Sequence, residues 1–91
     1  MVTSIILLNT ERNMIQSVAE QLTEDSGVSE VYSVSGPYDL IAIVRVASND
    51  DLAELVTSRI AKIEGITSTD TMLAFRSFSK HDLESMFTIG E

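Results

Sequence analysis

Two stretches of this chain are apolar on consecutive residues: Ile5 to Leu8, and Leu40 to Val46, which only Arg45 interrupts. An extended chain turns successive side chains to opposite faces, so each stretch predicts a strand with two apolar faces to cover. The other two predicted strands are more polar. Val28 to Ser35 sets Tyr32 and Val34 on one face and Val31, Ser33 and Ser35 on the other, as suits a sheet edge. Ile66 to Phe75 sets Thr67, Thr69, Thr71, Leu73 and Phe75 on one face and Ile66, Ser68, Asp70, Met72 and Ala74 on the other. A first helix is predicted over Glu11 to Leu22, capped by Thr10, with Met14, Ile15, Val18, Ala19 and Leu22 as its buried stripe. A second is predicted from the caps and acidic first turn of Ser48-Asn49-Asp50-Asp51 to about Ile63, with Leu52, Leu55, Val56, Ile60 and Ile63 inward. Gly36-Pro37-Tyr38-Asp39, the chain's only glycine–proline pair, predicts a hairpin turn between strands two and three.

The order strand, helix, strand, strand, helix, strand predicts an α+β fold, a ferredoxin-like βαββαβ sandwich. Its four-stranded antiparallel sheet carries two helices on one face, with strands one and three central. Those central strands are the two with doubly apolar faces, yet two helices can cover only one face. The other face would expose Ile and Leu together, and a contiguous apolar patch marks an interface. The reading is a homodimer packed sheet to sheet, or a larger even-numbered assembly. At 91 residues a chain buries only about 60–65% of its unfolded surface, so a partner subunit would add stability. The domain is expected to span 1–78. A helical extension over 79–91 would follow, with Leu83, Met86 and Phe87 on its apolar side.

With 14 acidic and 6 basic side chains the net charge is −8, which opposes direct contact with a nucleic acid backbone. The absence of cysteine removes disulfides, thiolate catalysis and thiolate-held metals. No apolar run approaches the ~20 residues of a membrane span, and a cytoplasmic location is expected. The catalytic inventory is thin. His81, the only histidine, has Lys80 and Asp82 beside it and reads as a solvated residue; Asp50 and Asp51 read as capping groups; the methionines read as filler. No catalytic residue, metal or cofactor is expected. Two segments suit binding. At the hairpin, Gly36 permits close approach of a ligand, Tyr38 offers an aromatic surface, and Asp39 a negative charge for an amino group. On strand four, the hydroxyls of Thr67, Thr69 and Thr71 can donate to a carboxylate. A plain turn and a solvated edge explain the same residues.

Val34-Ser35-Gly36-x-Tyr38-Asp39-Leu40, the apolar strand ending Val44-Arg45-Val46, Leu52 opening a helix, and Gly65-Ile66-x-x-Thr69-x-Thr71 together resemble the effector-binding (RAM) domain of the leucine-responsive/asparagine regulator (Lrp/AsnC) family, over roughly residues 2 to 76. The resemblance implies a sheet-to-sheet dimer, often built into dimers of dimers or rings, with a small amino-acid-like effector bound between dimers. Carried over by motif, it implicates Gly36, Tyr38, Asp39, Thr69 and Thr71. Pro37 departs from the family pattern and removes a backbone donor; Ser48 stands where many members have an aspartate near the second helix. The chain looks like a stand-alone member without a helix-turn-helix, acting on transcription through assembly or through contact with a full-length regulator. Two rivals remain: a dimeric α+β barrel enzyme such as a cofactor-free monooxygenase, and a purely structural oligomerisation module.

Overall fold

A computed structural model describes residues 1–78 and Lys80. The elements are β1 (Val2–Thr10), α1 (Ile15–Thr23), β2 (Val28–Ser33), β3 (Leu40–Val46), α2 (Asn49–Glu54) and β4 (Ile66–Leu73). A π turn (Leu55–Arg59) and a 3-10 turn (Ile60–Lys62) prolong α2. The terminal helix expected over Ser79 to Phe87, and His81 with it, lies outside the described residues except for Lys80.

The four strands form one sheet in the order β2-β3-β1-β4, every neighbouring pair antiparallel. The two doubly apolar strands are central, as predicted, because only there does each find a partner on both edges. Alternation then divides their side chains. Ser4, Ile6, Leu8 and Thr10 of β1, and Leu40, Ala42, Val44 and Val46 of β3, are buried beneath the helices. Val18 and Leu22 from α1, with Leu55 and Ile60 from the second helical segment, complete this core. Ile5 and Leu7 on β1 and Ile41 and Ile43 on β3 turn to the opposite face, outside that core, and are only half-buried.

Several predicted boundaries need correction. β1 runs on through Asn9 and Thr10, which pair with Ser68 and Ile66 of β4. Thr10 therefore does not cap α1; that helix begins at Ile15, after a turn closed by the Met14 N–H donating to the Glu11 carbonyl at 2.9 Å. β2 stops at Ser33 because the Val34 N–H closes the hairpin on the Asp39 carbonyl at 3.1 Å. β4 stops at Leu73 because its partner β1 runs out: one further bond, from the Ala74 N–H to the Thr3 carbonyl at 2.9 Å, ends the ladder. The pairing of β1 with β4 shifts by one between Asn9 and Thr10, leaving Thr67 without an opposite residue. That bulge turns Ile66 to the helix side, where it packs against the core, instead of onto the face of Asp70 and Met72.

The second helix begins as predicted, with the Ser48 hydroxyl accepting the Asp51 N–H at 3.1 Å. It is α-helical only to Glu54. Its π turn lies tight against the corner between α1 and β2: a Cβ on Gly27 would come within 2.7 Å of Leu55 Cδ1. At the same corner, Arg59 Nε donates to Asp25 Oδ2 at 2.5 Å and Nη2 to Oδ1 at 3.3 Å. The Gly27 N–H also donates to Oδ1, at 2.9 Å. Burial alone would raise the Asp25 carboxyl; the bonds from Arg59 and Gly27, with the charge of Arg59, outweigh it and hold the group below its ordinary 3.8. A carboxylate lowered on folding stabilises the fold above its unfolded value, and that contribution is lost as pH falls through the folded one. Arg59→Met is therefore expected to flatten the acid limb. Between about pH 5 and about pH 2 its urea midpoint falls less than that of the parent. Equal slopes would show that the pair adds nothing.

Candidate functional site

The hairpin turn and the ends of β1 and β4 meet at one end of the sheet. Gly36 holds φ +103° there with open space around it, so glycine is required by the backbone and not by crowding. Gly65, at φ +102°, answers to both: a Cβ would also lie 2.9 Å from Met14 Sδ. Its carbonyl accepts the Glu11 N–H at 2.7 Å, drawing the loops before α1 and β4 together.

Asp39 is locked into this end. Its N–H donates to the Leu8 carbonyl at 3.0 Å and to Asn9 Oδ1 at 3.1 Å, while its carboxylate Oδ2 accepts the Thr10 N–H at 2.9 Å. Among the described residues no donor occupies Oδ1. The side chain is half-buried and its position is set by β1, so it presents a fixed charge. Tyr38 reaches across the end of β1 and donates its hydroxyl to Asp70 Oδ2 at 2.5 Å. That bond to a carboxylate raises the tyrosine above its ordinary 10.0, so the phenol keeps its proton at neutral pH. Asn9 completes the group with a 3.4 Å bond from Nδ2 to the Ser68 hydroxyl.

Of the five residues singled out in the sequence, the structure joins Tyr38 and Asp39 in this polar group and sets Gly36 in the adjoining turn. Thr69 and Thr71 stand elsewhere. They pair with Leu8 and Ile6, whose side chains face the helices, whereas Asp70 pairs with Leu7 on the open face. Thr69 lines a groove of about 230 Å³ between β4 and the second helical segment, with Val56, Ile60, Ile63 and Ile66 as its apolar wall. The edge strand β4 thus offers a carboxylate on one face and hydroxyls on the other. Sequence reasoning missed Asn9 and Asp70. Asn9 reads as a strand terminator, and Asp70 acquires meaning only once β1 is known to lie between β3 and β4.

The open face adjoins this group. Across the sheet, Glu30, Ile43, Ile5 and Met72 form one row and Tyr32, Ile41, Leu7 and Asp70 the next. Apolar residues fill the middle. At one margin Arg45 and Glu30 form a 3.7 Å ion pair and Tyr32 donates to Glu30; at the other lies the Tyr38–Asp70 bond. No group of three or more potential metal-binding side chains exists among the described residues, and no helix there is long and apolar enough to cross a membrane.

A family model described as the Lrp/AsnC ligand binding domain matches residues 3–83. The chain belongs to this family. An uncharacterized HTH-type transcriptional regulator of Pyrococcus furiosus, PF0250, is 35% identical over 60 residues, 66% of this chain and 40% of its own. The crystal structure of TTHA0845 from Thermus thermophilus superposes at TM-score 0.83 with 41% identity, covering 88% of this chain and all of that one. E. coli AsnC superposes at TM-score 0.79 with 25% identity, covering 84% and 52%. The chain spans about 40–49% of the length of the first curated relatives it matches. The Lrp/AsnC domain is a regulatory, ligand-sensing module of transcriptional regulators, which are oligomeric and bind small-molecule effectors; they are not enzymes. The barrel-enzyme alternative falls with that membership. His81, expected as a solvated residue, lies outside the described residues.

Proposed function

We propose that this Lrp/AsnC domain binds a small amino-acid-like effector at a junction between copies in the cytoplasm, and that occupancy biases assembly or contact with a partner regulator. Transcription would then be affected indirectly. The observation that carries the reading is the position of the Tyr38–Asp39–Asp70 group on the margin of an apolar sheet face that no helix among the described residues covers. A second copy on that face would enclose the group, so a ligand held there would touch both copies. Asp39 Oδ1 suits an ammonium group. The hydroxyls of Thr69 and Thr71, on the other side of the same edge strand, suit the carboxylate of a ligand that wraps the edge or bridges to a neighbouring copy, and Gly36 leaves room in the turn. A ligand that completes its site only in one assembly stabilises that assembly by mass action, by about 2.7 kcal/mol at a hundred times its Kd.

Titration calorimetry across the twenty amino acids tests this reading. Asp39→Asn keeps an oxygen for the Thr10 N–H and removes the charge. With a binding amino acid it is expected to weaken affinity roughly ten- to hundredfold, the worth of a hydrogen bond to a charged group of about 1.5–3 kcal/mol. Asp39→Ala is expected to lose binding and to melt earlier, since it also orphans that N–H. Absence of heat with every amino acid, or an Asp39→Asn variant that binds like the parent, overturns it.

A further inference from the structure

Arg45 is the only polar residue of β3, a central strand otherwise apolar on both faces. It is one of six basic side chains set against 14 acidic ones, and it shares a pocket with a second, Arg76. Alternation places Arg45 on the open face, two residues past Ile43 and opposite Thr3. The Thr3 carbonyl in turn accepts the Ala74 N–H at 2.9 Å. Arg45, Thr3 and Ala74 thus form a row at the margin of the open face, beyond its apolar rows, and Arg76 follows two residues after Ala74. With Phe75 and Ser77 they line a pocket of about 290 Å³.

The two guanidiniums are not spent on the protein's own carboxylates. The approach of Arg45 to Glu30, at 3.7 Å, is too long for a hydrogen bond, and Glu30 accepts the Tyr32 hydroxyl instead. Among the described residues Arg76 makes no ion pair and no side-chain hydrogen bond. Each guanidinium carries five N–H donors and no acceptor, so the pocket is rich in donors that call for an anion. Thr3 and Ser77 add a hydroxyl each, and Phe75, 95% exposed, adds a flat apolar wall. A single carboxylate is matched by one planar fork and leaves the second arginine idle. A phosphoryl group is tetrahedral, carries close to two charges at neutral pH and offers three terminal oxygens, so it can engage both. The pocket is near the small end of the range for ligand sites, which leaves room for little beyond that group and a short body.

We infer that this pocket binds a small phosphomonoester, its phosphoryl group between Arg45 and Arg76 and its body against Phe75. It stands at the opposite end of β1 and β3 from Tyr38 and Asp39, so its failure leaves the effector reading untouched. Phenyl phosphate is the probe and benzoate the carboxylate of the same ring, each titrated into the isotope-labelled full chain and read by backbone amide shifts. Phenyl phosphate is expected to move the amides of Thr3, Arg45, Ala74 and Arg76 saturably, and to bind about tenfold more tightly than benzoate. Arg45→Gln and Arg76→Gln are each expected to weaken it roughly ten- to hundredfold. Both side chains are exposed, so both variants keep the fold. Lys62→Gln removes the same charge from the helix layer and is expected to change the affinity by less than about twofold. The inference is overturned by an absence of saturable shifts with phenyl phosphate, or by benzoate binding as tightly. A Lys62→Gln loss as large as that of either arginine variant overturns it too, since it would mark attraction to charge at large.

Discussion

Ile43→Glu is expected to turn an associated protein into a particle of the 10.0 kDa chain mass at micromolar concentration. Ile43 stands between Glu30 and Ile5 in the middle of the open face, half-buried by its neighbours and outside the helix-side core. A glutamate there stays solvated in one chain, so the fold survives and the far-UV circular dichroism is unchanged. Between two sheets it becomes an unpaired buried carboxylate, which costs about 3–5 kcal/mol, and two-fold pairing counts it twice. One such term weakens association more than a hundredfold. Light scattering or sedimentation velocity reads the result. A parent protein that already runs at the chain mass, or a variant that keeps the parent's mass, refutes the sheet-to-sheet reading and removes the junction on which the proposed effector site depends.

Leu55→Ala is expected to cost about 2–5 kcal/mol, a large share of the roughly 5–15 kcal/mol by which a domain is stable. Leu55 is fully buried and opens the π turn. The same site makes a sharper test possible. A Cβ on Gly27 would lie 2.7 Å from Leu55 Cδ1 and 3.0 Å from Val46 Cγ1. Gly27→Ala alone should therefore overpack the corner, at about 1–3 kcal/mol. In the double variant the new methyl enters the space that Leu55 vacates. Its loss is expected to fall short of the sum of the single losses by about 0.5–3 kcal/mol, measured by urea unfolding. Strict additivity would show that the two residues do not share that space.

The layout of the fold was legible because it rests on local pattern. Runs of apolar residues named the central strands, the 3–4 spacing named the inward stripes of both helices, and Ser48 and the Gly36–Pro37 pair marked a helix start and a turn. The one-sided helix layer, set against two strands with apolar residues on both faces, also points to a face that the two helices leave open. What pattern could not supply was register. Strict alternation put Ile66 with Asp70 and Met72, but one bulged residue, Thr67, reverses it. A stripe at helical spacing reads as one α-helix to Ile63, while the backbone changes to π and 3-10 turns after Glu54.

The candidate site divides along the same line. Composition and spacing alone determined that this is an acidic, cysteine-free βαββαβ chain with polar, hydroxyl-bearing and aromatic residues at one hairpin and one edge strand. The tertiary structure decided which of them meet. Asp39 holds the Thr10 N–H across 29 positions of sequence, Tyr38 meets Asp70 across 32, and Arg59 meets Asp25 across 34. Such contacts follow from strand order and from a single residue's shift in pairing. Periodicity carries neither, because it records which way a side chain points and not what lies opposite.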